Sequence, residues 1–244
     1  MNPTLLLATT GRVLRQLRAD PRSLGILLVV PVALLTLFHY IYDGNPLLFD
    51  FVAVAMTVIL PLSLMFIVSS VTMQRERADG TLERLWTTRL HRGDLIGGYA
   101  LAFGILAVLQ ALLLVAAMHL LMGVETEAAW WTLAVIAGVT GVTGLSLGLL
   151  GSAFAQSEFQ AVQFMPVLII PQVLLSGLLV PREQLPGLLK LLSDVMPLSY
   201  ALDAAVTAAR EGLSGDVVRD TLICLAFALV FLALAATTMP RRTR

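Results

Sequence analysis

Residues Gly144 to Gly148 read GLSLG, the G-x-S-x-G spacing that presents a serine hydroxyl as the nucleophile of an acyl transfer. Such a serine needs a base within hydrogen-bond reach, and the chain offers three histidines, His39, His91 and His119. Nucleotide chemistry would instead need a glycine-rich turn ending in Lys and Ser or Thr. The only lysine is Lys190, in GLLKLLSD, so no Walker-type site is expected and no cofactor is assigned to this chain. Cys224 is the single cysteine, which excludes an internal disulfide framework and a cysteine-based zinc site. Neither a metal nor a nucleic acid is expected as a partner. What remains is a concentration of charge, MQRERADGTLERLWTTRLHRGD at residues 73 to 94, set between two long apolar runs.

The elements that must position these groups follow from hydropathy. Hydrophobic residues make up 58% of the 244 and charged residues 13%, about half the share usual in soluble domains. A membrane-crossing helix needs about 20 mostly apolar residues. Six runs meet that length: Leu24 to Tyr42, Leu47 to Val71, Leu95 to Met122, Trp130 to Phe154, Phe159 to Val180 and Thr221 to Met239. Backbone polar groups must pair internally in lipid, and these runs are too long for barrel strands, so the fold expected is all-α and integral to the membrane.

Six spans put both termini on one side. That side collects 12 of the 16 basic residues, including Arg12, Arg15, Arg18 and the arginines of residues 75 to 92, so both termini are expected in the cytoplasm. The N-terminal arginines follow a short apolar patch with no cleavage site behind them, so a cleavable signal peptide is not expected. Trp130 and Trp131 fall where an interfacial aromatic belt is expected.

The spans decide the fate of the serine. Placed in the fourth of six spans, GLSLG resembles the intramembrane serine proteases of the rhomboid family, whose base lies in the last span. Here that span has no histidine. Ser146 sits roughly 24 Å down its helix at 1.5 Å per residue, while His39 and His119 lie near outer helix ends. The better reading is packing: Gly138, Gly141, Gly144, Gly148 and Gly151 recur at spacings of three and four, the small-residue face that lets helices approach closely within the fold or against a second copy. Asp50 reads as interfacial, and Gln110, His119, Gln163 and Gln172 either line a cavity or bond between helices. Pro166 and Pro171 are expected to kink the fifth span.

Two segments neither span nor read as plain loops. Residues 1 to 20 carry Leu6, Val13, Leu14 and Leu17 on one helical face and arginines on another, the pattern of an amphipathic helix lying in the interface and ending at Asp20-Pro21. Residues 182 to 213 hold apolar stretches broken at Pro186-Gly187 and Met196-Pro197, suited to re-entrant or interfacial half-helices that form an outer cap. The chain reads as one transmembrane domain over 1–244. In the charged stretch, helical phasing puts Ala78, Leu82, Leu85 and Trp86 on one stripe, with Glu76, Asp79, Glu83 and Arg84 elsewhere. Gly80 interrupts the helix, Thr81 caps a restart and Glu83 opposes the new helix dipole. An anchor loop explains the arginines; a short helix docking on a cytoplasmic protein also explains the acids and Trp86.

At these residues the chain resembles the permeases of type-2 ABC exporters, the membrane subunits of bacterial drug, lipid and polysaccharide exporters. RERADGTLERLWTT is similar to the family's Glu, Gly-Thr, Leu-Glu segment, and LLSGLLVPREQLPGLLKLLSDVMPLSYALDAA to its later Ser-Gly, Pro and Pro-Leu-Ser-Tyr-Ala segment. The resemblance implies a coupling helix between spans 2 and 3, within residues 75 to 92. It would seat Glu76, Gly80, Thr81, Glu83, Arg84, Leu85 and Trp86 in a separate ATP-binding subunit. The extra Ala78-Asp79 and Arg89-Leu90 depart from the family's pattern in register. The resemblance also implies a pair of outer re-entrant helices between spans 5 and 6, with Pro181, Pro186, Pro197 and Tyr200, that close the exit. It further implies a second permease copy, identical or homologous, two ATP-binding subunits that hold the ATP and magnesium, and the bacterial cytoplasmic membrane. Drug or lipid is the cargo class expected, and an ATP-independent carrier or channel is the alternative.

Overall fold

A computed structural model describes residues 3–78 and 91–238, so Gly80, Thr81, Glu83, Arg84, Leu85 and Trp86, expected to dock on an ATP-binding subunit, lie outside the described residues. Every regular element among the described residues is helical. In chain order these are α1 (Pro3–Ala19), α2 (Pro21–Ile41), α3 (Pro46–Ala78), α4 (Arg92–Leu120), α5 (Trp130–Ser152), α6 (Glu158–Leu175), a short 3-10 turn (Arg182–Gln184), α7 (Gly187–Asp194), α8 (Pro197–Glu211) and α9 (Gly215–Thr238). Six of them, α2, α3, α4, α5, α6 and α9, are long and apolar enough to cross a membrane, which makes this a multi-pass membrane protein.

The bundle is built around α3 and α5, whose most apolar windows are 78% buried, while those of α2, α6 and α9 are only 17% buried and leave their leucines and valines facing outward. Glycine explains why α3 and α5 lie so close. A Cβ on Gly144 would sit 2.2 Å from the Leu62 carbonyl oxygen, and one on Gly148 would sit 2.4 Å from that of Phe66. The small-residue face foreseen on α5 therefore packs inside the fold, against α3. Ser69 uses the proximity, donating to the Leu145 carbonyl at 3.0 Å. On the far side of α5, Thr143 donates to the Cys224 carbonyl of α9 at 3.2 Å.

Helix ends depart from the apolar runs for local reasons. Asp20 breaks the chain after α1, and Pro21 opens α2, where a missing N–H costs nothing. α3 runs on to Ala78 rather than stopping at Val71, because Glu76 in its last turn finds partners on α1. α9 begins at Gly215, ahead of Thr221, since Arg219 pairs with Asp216 and Asp220 in the first turns. α6 continues through Pro166 and Pro171 and ends at Leu175, short of Val180. Gly177 then turns the chain at φ 99°, a left-handed conformation that glycine adopts without strain.

Candidate functional site

The serine hydrolase reading gains nothing from the geometry. Ser146 is fully buried and its hydroxyl donates to the Val142 carbonyl one turn back, at 2.6 Å. His119 bonds to Val115 and Thr126, His39 stacks on the edge of Phe49, and His91 is exposed at the start of α4. Gln110 bonds across to the Leu27 carbonyl of α2 at 3.2 Å, and Gln172 bonds within its own helix.

Two polar assemblies occupy the two ends of the bundle. The first joins α1, α3 and α4 where the chain leaves α3 toward residues 79–90. α1 is laid on α4 by small contacts: Thr10 donates to the Gly98 carbonyl, and Thr9 fills the space a Cβ on Gly98 would need. From α1, Arg12 reaches both oxygens of Glu76 at 2.9 and 3.1 Å, and Gln16 adds a third bond at 3.0 Å. The other arm of Arg12 donates to the Tyr99 hydroxyl of α4 at 2.8 Å. Burial alone would lower the Arg12 pKa, but Tyr99 and Glu76 together raise it, so the guanidinium stays charged. Glu76 is buried beneath α1 by these bonds. Its carboxylate is thus engaged by its own chain, whatever the neighbouring residues 79–90 touch. One residue on, Arg77 is buried and caps the end of α5 through the Ser152 carbonyl at 2.6 Å. Arg75 grips Glu158 at the start of α6 with two bonds of 3.1 Å. The last turn of α3 is therefore tied to α1, α4, α5 and α6 together.

The second assembly organises residues 181–203 at the opposite end. Pro186 precedes α7 and Pro197 is the first residue of α8, so the two prolines foreseen as breaks stand at helix starts, and Pro181 likewise precedes the 3-10 turn. Between them Arg182 acts as a hub. It donates to Ser193 at 3.0 Å, to Asp194 at 2.7 Å and to Asp203, and its guanidinium lies 5.1 Å above the Tyr200 ring. Tyr200 donates to the Asp194 carbonyl at 2.8 Å, and Ser193 donates to the Leu175 carbonyl at 2.9 Å. Turn, α7, α8 and the end of α6 thus share one ionic centre. Burial opposes the charge on Arg182, yet its two carboxylates more than offset that and raise its pKa. Burial pushes the Asp203 carboxyl up, with Asp220 and Glu183 adding to it and Arg182 pulling it back.

Beside this hub lies a cavity of about 660 Å³ between Leu47 and Phe51 of α3 and Asp203, Val206 and Arg210 of α8. A second of about 300 Å³, holding Asp50 and Glu125, shares Leu47, Phe51 and Arg210 with it. Apolar walls with a few charged groups are the make-up of a small-molecule site. Sequence reasoning had assigned no partner to Arg12, Tyr99, Arg182 or Asp203. Their partners lie between 11 and 87 positions away along the chain, and no local periodicity carries such pairs.

Comparison with known proteins agrees with this architecture. The family model described as "ABC-2 type transporter" matches residues 4–209. ABC transporter G family member 20 of Dictyostelium discoideum is 28% identical over 165 residues, covering 66% of this chain and 22% of that protein. The probable multidrug ABC transporter permease YbhS of Escherichia coli is 25% identical over 181 residues, covering 72% and 47%. Nodulation protein J of Sinorhizobium fredii is 29% identical over 175 residues, covering 70% and 65%. The chain therefore spans less than two thirds of the length of each of these relatives. With a match across most of its length and six membrane-crossing helices in one bundle, the chain belongs to the ABC-2 type transporter family.

Proposed function

We propose that this chain is the membrane-spanning permease of an ATP-driven exporter in a bacterial cytoplasmic membrane. In this reading it works beside a second permease copy and two ATP-binding subunits that hold ATP and magnesium. The observation that carries it is the tie between Arg12, Glu76 and Tyr99. It gathers α1, the end of α3 and the start of α4 around the point where residues 79–90 leave the bundle, so a push on that segment reaches three helices at once. Glu76 then serves as a strut behind the docking segment, and Glu83, Arg84, Leu85 and Trp86 supply the contacts with the ATPase.

Cargo is a hydrophobic or amphipathic molecule, a drug or a lipid. The mixed apolar and charged cavities at the cap end and the multidrug naming of the relative from Escherichia coli support that class. The cap of α7 and α8 acts as the outer gate, held shut by Arg182. The excess of basic residues on the α1 side supports a cytoplasmic location for that side and for both termini. The test is Glu83→Arg with Leu85→Asp, which is expected to abolish stimulation of the ATPase while membrane insertion is kept. Unchanged copurification and unchanged stimulation would refute the docking role, and an ATP-independent carrier would show neither partner nor stimulation.

A further inference from the structure

At the cap end four carboxylates are engaged by arginines: Asp194 and Asp203 by Arg182, Asp216 and Asp220 by Arg219. Asp43, Asp50 and Glu125 differ. Among the described residues no hydrogen bond or ion pair takes up their carboxylates, and all three line one cavity of about 270 Å³ beside the turn between α2 and α3. No Lys or Arg lines that cavity, and the Tyr42 ring and His39 stand among its other walls. The cavity of about 300 Å³ adjoins it, sharing Asp50 and Glu125 and adding an apolar wall of Leu47, Phe51, Val54 and Val206. Arg210 is the one base there, so three acids face one base across the two cavities.

Asp50 is half-buried in a membrane-crossing helix, where a lone carboxylate is costly, and Glu125 is near enough to add like-charge repulsion. A cation between them offsets both penalties. A metal ion does not suit the site: among the described residues no three His, Cys, Asp or Glu side chains gather closely enough to hold one, and a bare ion would leave the apolar wall wet. We infer that the adjoining cavities bind an amphipathic organic cation, its protonated amine between Asp50 and Glu125 and its hydrocarbon body against Leu47, Phe51, Val54 and Val206. The amine donates to both carboxylates, the Tyr42 ring adds attraction for positive charge, and an anion of the same shape is repelled. Each cavity alone lies at the lower limit for a ligand site, whereas one such molecule occupies both. That this cation is the cargo class rests on the exporter reading; the binding site itself does not.

Titration calorimetry on the full chain in phosphatidylcholine nanodiscs at about pH 8 tests binding alone, with no ATPase present and the heat of empty nanodiscs subtracted. Phenylbutylamine, its neutral counterpart phenylbutanol and the anion phenylpentanoate are the probes. Wild type is expected to hold the amine about tenfold more tightly than the alcohol and to bind no phenylpentanoate. Asp50→Asn and Glu125→Gln should each weaken the amine about threefold and leave the alcohol unchanged. Val206→Trp, which fills the apolar cavity, should weaken both probes, and Asp216→Asn, whose partner Arg219 lies outside the two cavities, should change neither. Thermal unfolding checks that each variant is folded. An amine held no more tightly than the alcohol by wild type, or held at wild-type affinity by both Asp50→Asn and Glu125→Gln, would overturn the site without touching the exporter reading.

Discussion

A carboxylate in a helix that otherwise crosses a membrane survives only with its lone pairs occupied, and Glu76 accepts three hydrogen bonds from α1, two from Arg12 and one from Gln16. Removing its charge leaves the half-buried guanidinium of Arg12 with no anionic partner, only the neutral oxygens of Tyr99 and of the new amide. Glu76→Gln is therefore expected to cost about 2 kcal/mol in thermal unfolding in detergent. Arg12→Met with Glu76→Gln should cost less than the two single changes summed, because the second loses a partner that is already gone. The glycines of α5 make a sharper case. A Cβ on Gly148 falls 2.2 Å from the Ser69 hydroxyl and 2.4 Å from the Phe66 carbonyl oxygen. Gly148→Ala should then destabilise by roughly 1–3 kcal/mol, while Gly11→Ala, inside α1 with no other part of the fold within 4 Å, should be neutral or stabilise by up to about 1 kcal/mol. Ser146→Ala is expected to leave function intact, since its hydroxyl serves only its own helix.

Among the elements, the cap of α7 and α8 depends on one side chain. Arg182→Gln keeps a hydrogen bond but loses two ion pairs with partly exposed carboxylates, for an expected loss of about 2 kcal/mol and faster proteolysis within residues 181–196. Asp203 adds a pH signature. Its folded-state pKa lies above the ordinary 3.8, so the fold favours its protonated form. The stability this group contributes is present in full below 3.8 and is lost as pH rises through the raised value. Tm of wild type relative to Asp203→Asn should accordingly climb as pH falls toward 4, and a flat difference would refute the assignment. These elements were only partly legible in the sequence. Prolines at 186 and 197 marked the starts of α7 and α8, and amphipathic phasing marked α1, because such signals are local. The Arg182 hub was not legible, since Ser193, Asp194 and Asp203 converge only once α7 and α8 have folded back on the 3-10 turn.

For the whole molecule, the six spans were readable because twenty apolar residues in a row have few other fates. Their arrangement was not: nothing in the runs themselves says that α3 and α5 are central and that α2, α6 and α9 face outward. The small-residue spacing on α5 was the one clue, and it named the face without naming its partner. Seen whole, the bundle has a polar tie at each end and an apolar middle. The α1 end is bound through Arg12, Glu76 and Arg77, and the cap end through Arg182. A bundle clamped at both ends suits a device in which force applied at one end releases the other, and in the proposed function that force comes from ATP hydrolysis in a partner. The most direct test is to solubilise the full chain from its native membrane, capture it and assay the eluate for ATP hydrolysis. An ATP-binding subunit should co-elute, hydrolyse ATP faster than the same subunit alone, and lose that stimulation when the chain carries Glu83→Arg with Leu85→Asp. Capture of the intact chain with no ATPase activity, or with activity that the double substitution leaves unchanged, would contradict the account.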